Sequence, residues 1–323
     1  MAHWTDKLTA GFRAVRNAAS RISGRSKIRS TPFGENNDRT HTEYNASGVA
    51  QVGPHRFVFV DNRDPSALFE LVLDDDDAVA ERIARRPLAG ITSGDLGDPE
   101  GLTRVDLNGE LFLIVASSLC LLGTTRSDGL VRVRYPPHGA LRAEPMAGFR
   151  AWLLDHEDWL EDAGERDPDA GGLDIEGLAW DSHAGALLFG LRGPTGRGEI
   201  TLIRVPVDVA AASWTTSALG TPSVVRIRVP KSTATQGIRD IHYDEQTGGF
   251  LILLGRSISG SDAPFQLGTW NGSSDKVRLL DVTFHQKMKP EGVTTFRSGN
   301  EKKILVIDDR GGYAVLAHPG MDQ

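Results

Sequence analysis

Short apolar runs that end in polar or charged residues recur along this chain: Phe57 to Val60, Leu111 to Val115, Leu187 to Leu191, Phe250 to Leu254 and Ile304 to Ile307. Each reads as a buried β-strand. A second signature stands about 10 residues ahead of each run. Glu100-Gly101-Leu102, Glu176-Gly177-Leu178 and Glu291-Gly292-Val293 are close copies of it. Arg239-Asp240-Ile241 keeps the shape with different chemistry, and Ser47-Gly48-Val49 is a weaker fifth copy. A β-type unit recurring every ~50 to 75 residues is the mark of a propeller. The expected fold class is therefore all-β, a β-propeller of five blades with a cryptic sixth left open.

The first unit continues through Leu68 to Leu73 into Asp74 to Asp77 and the stretch Ala78 to Arg86. Acids at one end and arginines at the other match a helix dipole, so a helix stopped by Pro87 is expected rather than a calcium loop. Leu88 to Thr92 would be that blade's fourth strand. The second unit carries Leu111 to Val115, Leu119 to Leu122 and Leu130 to Arg134. A helical insertion over about residues 145–166 follows, with Phe149, Trp152, Leu153, His156, Trp159 and Leu160 on one face. The third unit offers strands at Leu178 to Asp181, Ala186 to Leu191, Ile200 to Pro206 and Val224 to Val229. The fourth offers Ile241 to Asp244, Phe250 to Leu254, Phe265 to Trp270 and Val277 to Phe284. Only three strands fit after Glu291. The fourth must come from the N-terminal side, within residues 23–47, which closes the ring and removes both sheet edges.

Residues 1–43 form a segment separate from the propeller of residues 44–323. Between Met1 and Thr40 lie eight Lys or Arg against three Asp or Glu, in a chain whose formal net charge is −7. Trp4, Leu8, Phe12, Val15, Ala19 and Ile22 fall at helical spacing and make one apolar stripe. Such a basic amphipathic helix packs on its own body, docks on a protein partner or, less favoured, lies on a membrane surface. Trp152 and Trp159 on the acidic insertion are a second candidate partner surface. The acidic balance argues against nucleic acid. Cys120 is the single cysteine, which excludes an internal disulfide and any multi-cysteine metal site. With no continuous apolar region at the N-terminus, the expected setting is the cytoplasm.

Candidate chemistry gathers where propeller geometry would bring the units together. The start of strand one and the end of strand two share a face, and 16 to 19 residues separate the motif from a second polar position. Glu100, Glu176, Arg239 and Glu291 are the strand-one residues, and Arg63, Ser118, Arg192, Arg256 and Arg310 end the second strands. A ring of carboxylates and guanidiniums round one mouth follows. Its Glu–Arg pairs would lock the blades in register. Alternatively Glu100, Glu176 and Glu291 would hold calcium or magnesium, with Asp240, Asp308 or Asp309 completing an oxygen shell and the arginines holding an anionic small ligand. No cofactor is required by the first reading. Asp240 and His242 share a strand face, but no serine stands beside them to make a nucleophilic set.

The Glu-Gly-Leu and Glu-Gly-Val repeats, with Leu187 to Pro194, resemble an uncharacterised bacterial β-propeller family, a domain of unknown function. They are more distantly similar to phytase-like propellers and to metal-dependent gluconolactonase-type propellers. The first resemblance implies a fold and no reaction. The expected function is a cytoplasmic protein- or ligand-binding, regulatory module. The alternative is a metal-assisted hydrolase of a phosphoester or lactone at the Glu100, Glu176, Glu291 face.

Overall fold

Each apolar run of the sequence becomes the second strand of a four-stranded antiparallel blade, and the outer strands of the first two blades pair in parallel to join them into one eight-stranded sheet. The computed structural model describes residues 27–33, 44–77, 79–121, 126–156, 158–230, 232 and 235–319. Its first strand, β1 (Thr31–Pro32), belongs to the last sheet. Blade one is β2 (Ala46–Gly53), β3 (Arg56–Asp61), β4 (Ala67–Leu73) and β5 (Ala80–Ala89). Blade two is β6 (Pro99–Leu107), β7 (Glu110–Ser117), β8 (Leu130–Arg134) and β9 (Leu141–Pro145). Between blades two and three lie α1 (Phe149–Leu154) and α2 (Asp158–Gly164). Blade three is β10 (Asp174–Asp181), β11 (Ala186–Gly193), β12 (Glu199–Pro206) and β13 (Ser223–Arg228). Blade four is β14 (Gln236–Asp244), β15 (Gly249–Arg256), β16 (Gln266–Trp270) and β17 (Arg278–Leu279). Blade five is β18 (Pro290–Ser298), β19 (Glu301–Asp308) and β20 (Gly312–Ala317), completed by β1.

The first strands β2, β6, β10, β14 and β18 touch in succession, and β18 returns to β2, so the five blades close a ring. That is the arrangement of a five-bladed β-propeller. Five apolar clusters fill the joints, one between each pair of adjacent blades. Closure depends on the segment ahead of blade one, as the strand count requires. Thr31 pairs with Tyr313, and Phe33 is buried against Phe59 at 5.3 Å and Tyr44 at 5.5 Å between ring centroids.

Two local expectations are corrected. Residues 80–89 form the strand β5, in place of the expected helix over Ala78 to Arg86 and the expected strand over Leu88 to Thr92. Pairing with β4 from Ala67↔Pro87 to Leu73↔Ala80 overrides the local helix signals. Burial of Ile83 and Leu88 anchors that strand. Pro87 is tolerated because the pairing of β5 with the next blade begins only after it, at Leu88. Leu119 and Cys120 form no strand either. Leu119 adopts φ 55° and fills the joint between blades two and three, where Arg150 Nε donates to its carbonyl at 3.1 Å. The insertion is helical as expected, in two short helices whose Phe149, Leu153 and Leu160 join the same joint. Trp152 and Trp159 pack half-buried on it, and exposed His156 bonds the Trp152 carbonyl at 2.6 Å. Trp4, Leu8, Phe12, Val15 and Ile22 lie outside the described residues. Among those described, no helix is long and apolar enough to cross a membrane.

Candidate active site

The repeated motif acquires its meaning from a β-bulge. In β6, β10, β14 and β18 the pairing with the next strand skips one residue, and the residues skipped are Glu100, Glu176, Arg239 and Glu291. Blade one skips Gly48, beside Ser47. A bulge leaves its extra residue out of the ladder and re-aims its side chain. The glycine that follows lets the next blade approach: a Cβ on Gly101 would lie 2.7 Å from Leu178 Cβ, and one on Gly177 2.9 Å from Ile238 Cγ2. Ser47, Glu100, Glu176, Arg239 and Glu291 therefore converge at one end of the channel, all of them buried.

Arg239 is the counter-charge of this ring. Its guanidinium pairs with Glu291 on one side and lies 2.7 Å from Glu176 Oε2 on the other. The second contact is ionic and lacks hydrogen-bond geometry, since Arg239 Nε and Glu176 Oε2 both remain without a hydrogen-bond partner. Arg192 Nη1 donates to Glu176 Oε1 at 3.1 Å and to Asp174 Oδ2 at 3.0 Å. Ser47 Oγ donates to Glu291 Oε2 at 3.3 Å. Glu100 differs from the other two glutamates. Asn62 Nδ2 donates to it at 3.0 Å, the Ser47 hydroxyl bonds it too, and among the described residues it makes no ion pair.

Burial pushes the Glu100 carboxyl well above the usual range, and the charges of Asp98 and Glu291 add to the shift. Glu176 and Glu291 are also raised, by burial first, with Arg239 opposing. Burial pushes Asp174 up to about 6 against the pull of Arg192 and Arg239. Four buried carboxyls facing two guanidiniums are harder to ionise than they would be in water, and Glu100, which makes no ion pair among the described residues, most of all.

A second polar position, two residues before the bulge, sorts the mouth into two halves. It is Asp98 in blade two and Asp174 in blade three, but Gly237 in blade four and Lys289 in blade five. Asp98, Glu100 and Asp174 open into a cavity of about 320 Å³ with Asp167, Asp169 and Arg192 on its walls. Asp98 sits at φ 52°, in the left-handed region. The Ser118 hydroxyl bonds its Oδ2 at 2.7 Å and the Ser118 N–H its carbonyl at 3.0 Å. Ser118, Asn62 and Ser47 are thus the neutral fixings of the acid pair. Cys120 borders the same cavity, but burial pushes its thiol up to about 12, which keeps it protonated and a poor nucleophile.

The other expected residues fall into place around this pair of halves. Arg256 and Arg310 line a larger cavity on the blade-four side, as do Arg192 and Arg239. Arg63 is exposed on the turn after β3 and lines neither cavity. Asp240 is not part of the mouth. Its carboxyl accepts backbone N–H groups from Ile241 at 2.8 Å and Val293 at 2.7 Å, tying blades four and five together. His242 makes no pair with it. That ring bonds Thr295 Oγ1 at 2.9 Å, beside a separate cavity, and burial holds it neutral with a value of about 4. Asp309 pairs with Lys289 at 2.9 Å, and Asp308 accepts the Lys289 and Arg310 N–H groups. Among the described residues no group of three or more His, Cys, Asp or Glu is arranged to hold a metal ion. Between Glu176 and Glu291, Arg239 takes the place a cation would fill.

The model of a family described as a protein of unknown function (DUF3616) matches residues 167–318. No curated protein matches the chain. Among solved structures, the chain is similar to an alpha-L-arabinofuranosidase from Lactobacillus brevis at 10% identity and TM-score 0.49, over 87% of this chain and 91% of that one. A GH43_1 enzyme from Xanthomonas citri is 12% identical with TM-score 0.46, over 90% and 89%. Saccharomyces cerevisiae Sqt1 is 12% identical with TM-score 0.34, over 85% and 73%. The expectation of a non-enzymatic, regulatory and phytase-like module is corrected on the site itself, where the buried Glu100 shares a cavity with Asp98, and the hydrolase alternative is the one carried forward. None of the three reaches a TM-score of 0.5, so the reaction is argued from the site.

Proposed function

We propose that the protein is a hydrolase whose reaction takes place in the acidic cavity between blades two and three, with Glu100 as general acid and Asp98 as general base. The observation that carries this reading is the surroundings of Glu100: it is buried, bonded only to the neutral side chains of Asn62 and Ser47 among the described residues, and borders a cavity shared with Asp98. A carboxyl kept neutral near pH 7 can protonate a leaving oxygen, while a neighbouring carboxylate takes a proton from water. In the proposed step Asp98 accepts a proton from the attacking water, whose oxygen bonds to the electrophilic carbon. The bond from that carbon to the leaving oxygen breaks, and Glu100 supplies the proton that the departing oxygen needs. Arg192 holds Asp174 in place at the cavity wall.

The same walls narrow the substrate. Asp98, Glu100, Asp167, Asp169 and Asp174 face Arg192, the only cationic lining residue among the described residues. Such a lining accepts hydrogen bonds from hydroxyls and repels a phosphate, so a glycoside or lactone bond fits better than a phosphoester. Arg239 between Glu176 and Glu291 leaves the three glutamates ill suited to a metal, and no step of this reaction passes through one.

Hydrolysis of a panel of chromogenic glycosides and lactones tests the proposal. Glu100→Gln and Asp98→Asn should each lower kcat by about 10²- to 10⁴-fold, with KM little changed. A wild-type protein that turns over nothing in the panel, or a Glu100→Gln variant as active as wild type, sinks the reading.

A further inference from the structure

A larger cavity of about 670 Å³ adjoins the acidic one, and Arg192 lines both. Its character is reversed. Where blades two and three carry Asp98 and Asp174, blade five carries Lys289, while Arg256 ends the second strand of blade four and Arg310 lies on the turn after that of blade five. Arg192, Arg239, Arg256, Lys289 and Arg310 line this cavity against Asp262 and Glu291, a balance of five cations to two acids, and Arg239 already holds Glu291. Arg256 and Arg310 are exposed, and neither guanidinium makes an ion pair among the described residues. Arg192 Nε is buried with no hydrogen-bond partner. Phe265, Phe284 and Met288 supply an apolar wall beside these groups.

Unpaired guanidiniums gathered on a cavity rim are donors awaiting a planar anion, which they can bind through two hydrogen bonds at once. The apolar wall suits a flat or aliphatic body attached to that anion. A single negative charge suits the place better than two, because Asp262, Glu291 and the acidic cavity next door remain close. We propose that this cavity is a binding subsite for a carboxylate carried on an apolar body, and that it receives one end of the substrate whose bond is hydrolysed in the acidic cavity. The second half of that statement rests on the hydrolase reading; the subsite itself does not.

Calorimetric titration of the full chain tests it with three probes: benzoate, benzyl alcohol and inorganic phosphate. Benzoate should bind with one-to-one stoichiometry, and benzyl alcohol and phosphate about tenfold more weakly or worse, since each lacks one half of the recognition. The double variant Arg256→Gln/Arg310→Gln, altered only at exposed side chains, should lose about tenfold in benzoate affinity. Glu100→Gln should bind benzoate as wild type does, so the subsite can be judged even if no substrate is ever turned over. Benzoate binding no tighter than benzyl alcohol or phosphate overturns the proposal, as does binding undiminished in the double variant.

Discussion

Arg239→Met removes the one guanidinium that touches both Glu176 and Glu291 while keeping most of the side chain's bulk. Glu176 retains Arg192 at 3.1 Å, whereas Glu291 is left with the Ser47 hydroxyl at 3.3 Å. One carboxyl is therefore stranded, and two estimates of the cost can be compared. Breaking a buried pair by removing one partner costs about 3–5 kcal/mol. If Glu291 instead keeps a proton, the cost is about 1.4 kcal/mol for each pH unit above its unfolded value near 4.3, or about 3.7 kcal/mol at pH 7. The two agree, and a loss of about 4 kcal/mol at pH 7 is expected.

The pH dependence separates this account from lost packing. A carboxyl whose folded value is raised stabilises the fold below its unfolded value, and that contribution disappears as pH rises through the folded value. The Arg239→Met deficit should therefore shrink to about 1 kcal/mol near pH 5. Urea unfolding of wild type and variant at the two pH values measures it. Equal deficits at both would refute the reasoning, because a packing defect does not titrate. No deficit at either would mean that Arg239 is not the counter-charge of the ring.

Two further outcomes follow from the same geometry. Burial raises Glu100, so the folded protein binds a proton there that the unfolded chain releases, and wild-type stability should fall as pH rises above the unfolded value. Glu100→Gln should make that fall shallower by about 1.4 kcal/mol per pH unit in urea melts, and identical slopes would mean that Glu100 is ionised in the fold. Phe33→Ala should cost about 3–5 kcal/mol by opening the joint where the chain closes on itself, and a melt within about 1 kcal/mol of wild type would show that β1 does not hold the ring.

The blades were legible because a buried strand needs an uninterrupted apolar run, and Phe57 to Val60 or Leu187 to Leu191 supplies one with little competition from other structures. β5 was not, because Asp74 to Asp77 and the arginines after it satisfy a helix dipole locally, while its strand identity depends on distant pairing with β4. β1 is two residues long and carries no pattern of its own. At the mouth, Glu100, Glu176, Arg239 and Glu291 were readable from the repeat, since the bulge fixes the same chain position in each blade. Asp98 and Asp174 were missed although a signal was present. Asp98-Pro99-Glu100-Gly101-Leu102 and Asp174-Ile175-Glu176-Gly177-Leu178 share an acid two residues ahead of the bulge, which the other blades lack. Asn62 and Ser47 left no such trace, because only the folded ring brings them beside Glu100.

The order of residues round the ring decides which carboxyl is free to act as an acid. Five glutamates at five bulges would be five buried negative charges near one axis, and the chain avoids this with Arg239 in blade four and Gly48, beside Ser47, in blade one. Arg239 reaches its two neighbours, Glu176 in blade three and Glu291 in blade five. Glu100 in blade two is beyond that reach, and the residues on its other side are the neutral Ser47 and Asn62. The upward shift of Glu100 thus follows from its place in the ring, where no guanidinium pairs with it among the described residues. The neighbouring Asp98 and Asp174 then add charge on the same side of the mouth, while Arg256 and Arg310, which make no ion pair among the described residues, add the opposite charge across it. A fivefold scaffold with near-identical units becomes an asymmetric cleft through substitutions at two positions per blade, and it is the asymmetry, not the propeller, that gives the mouth a chemistry.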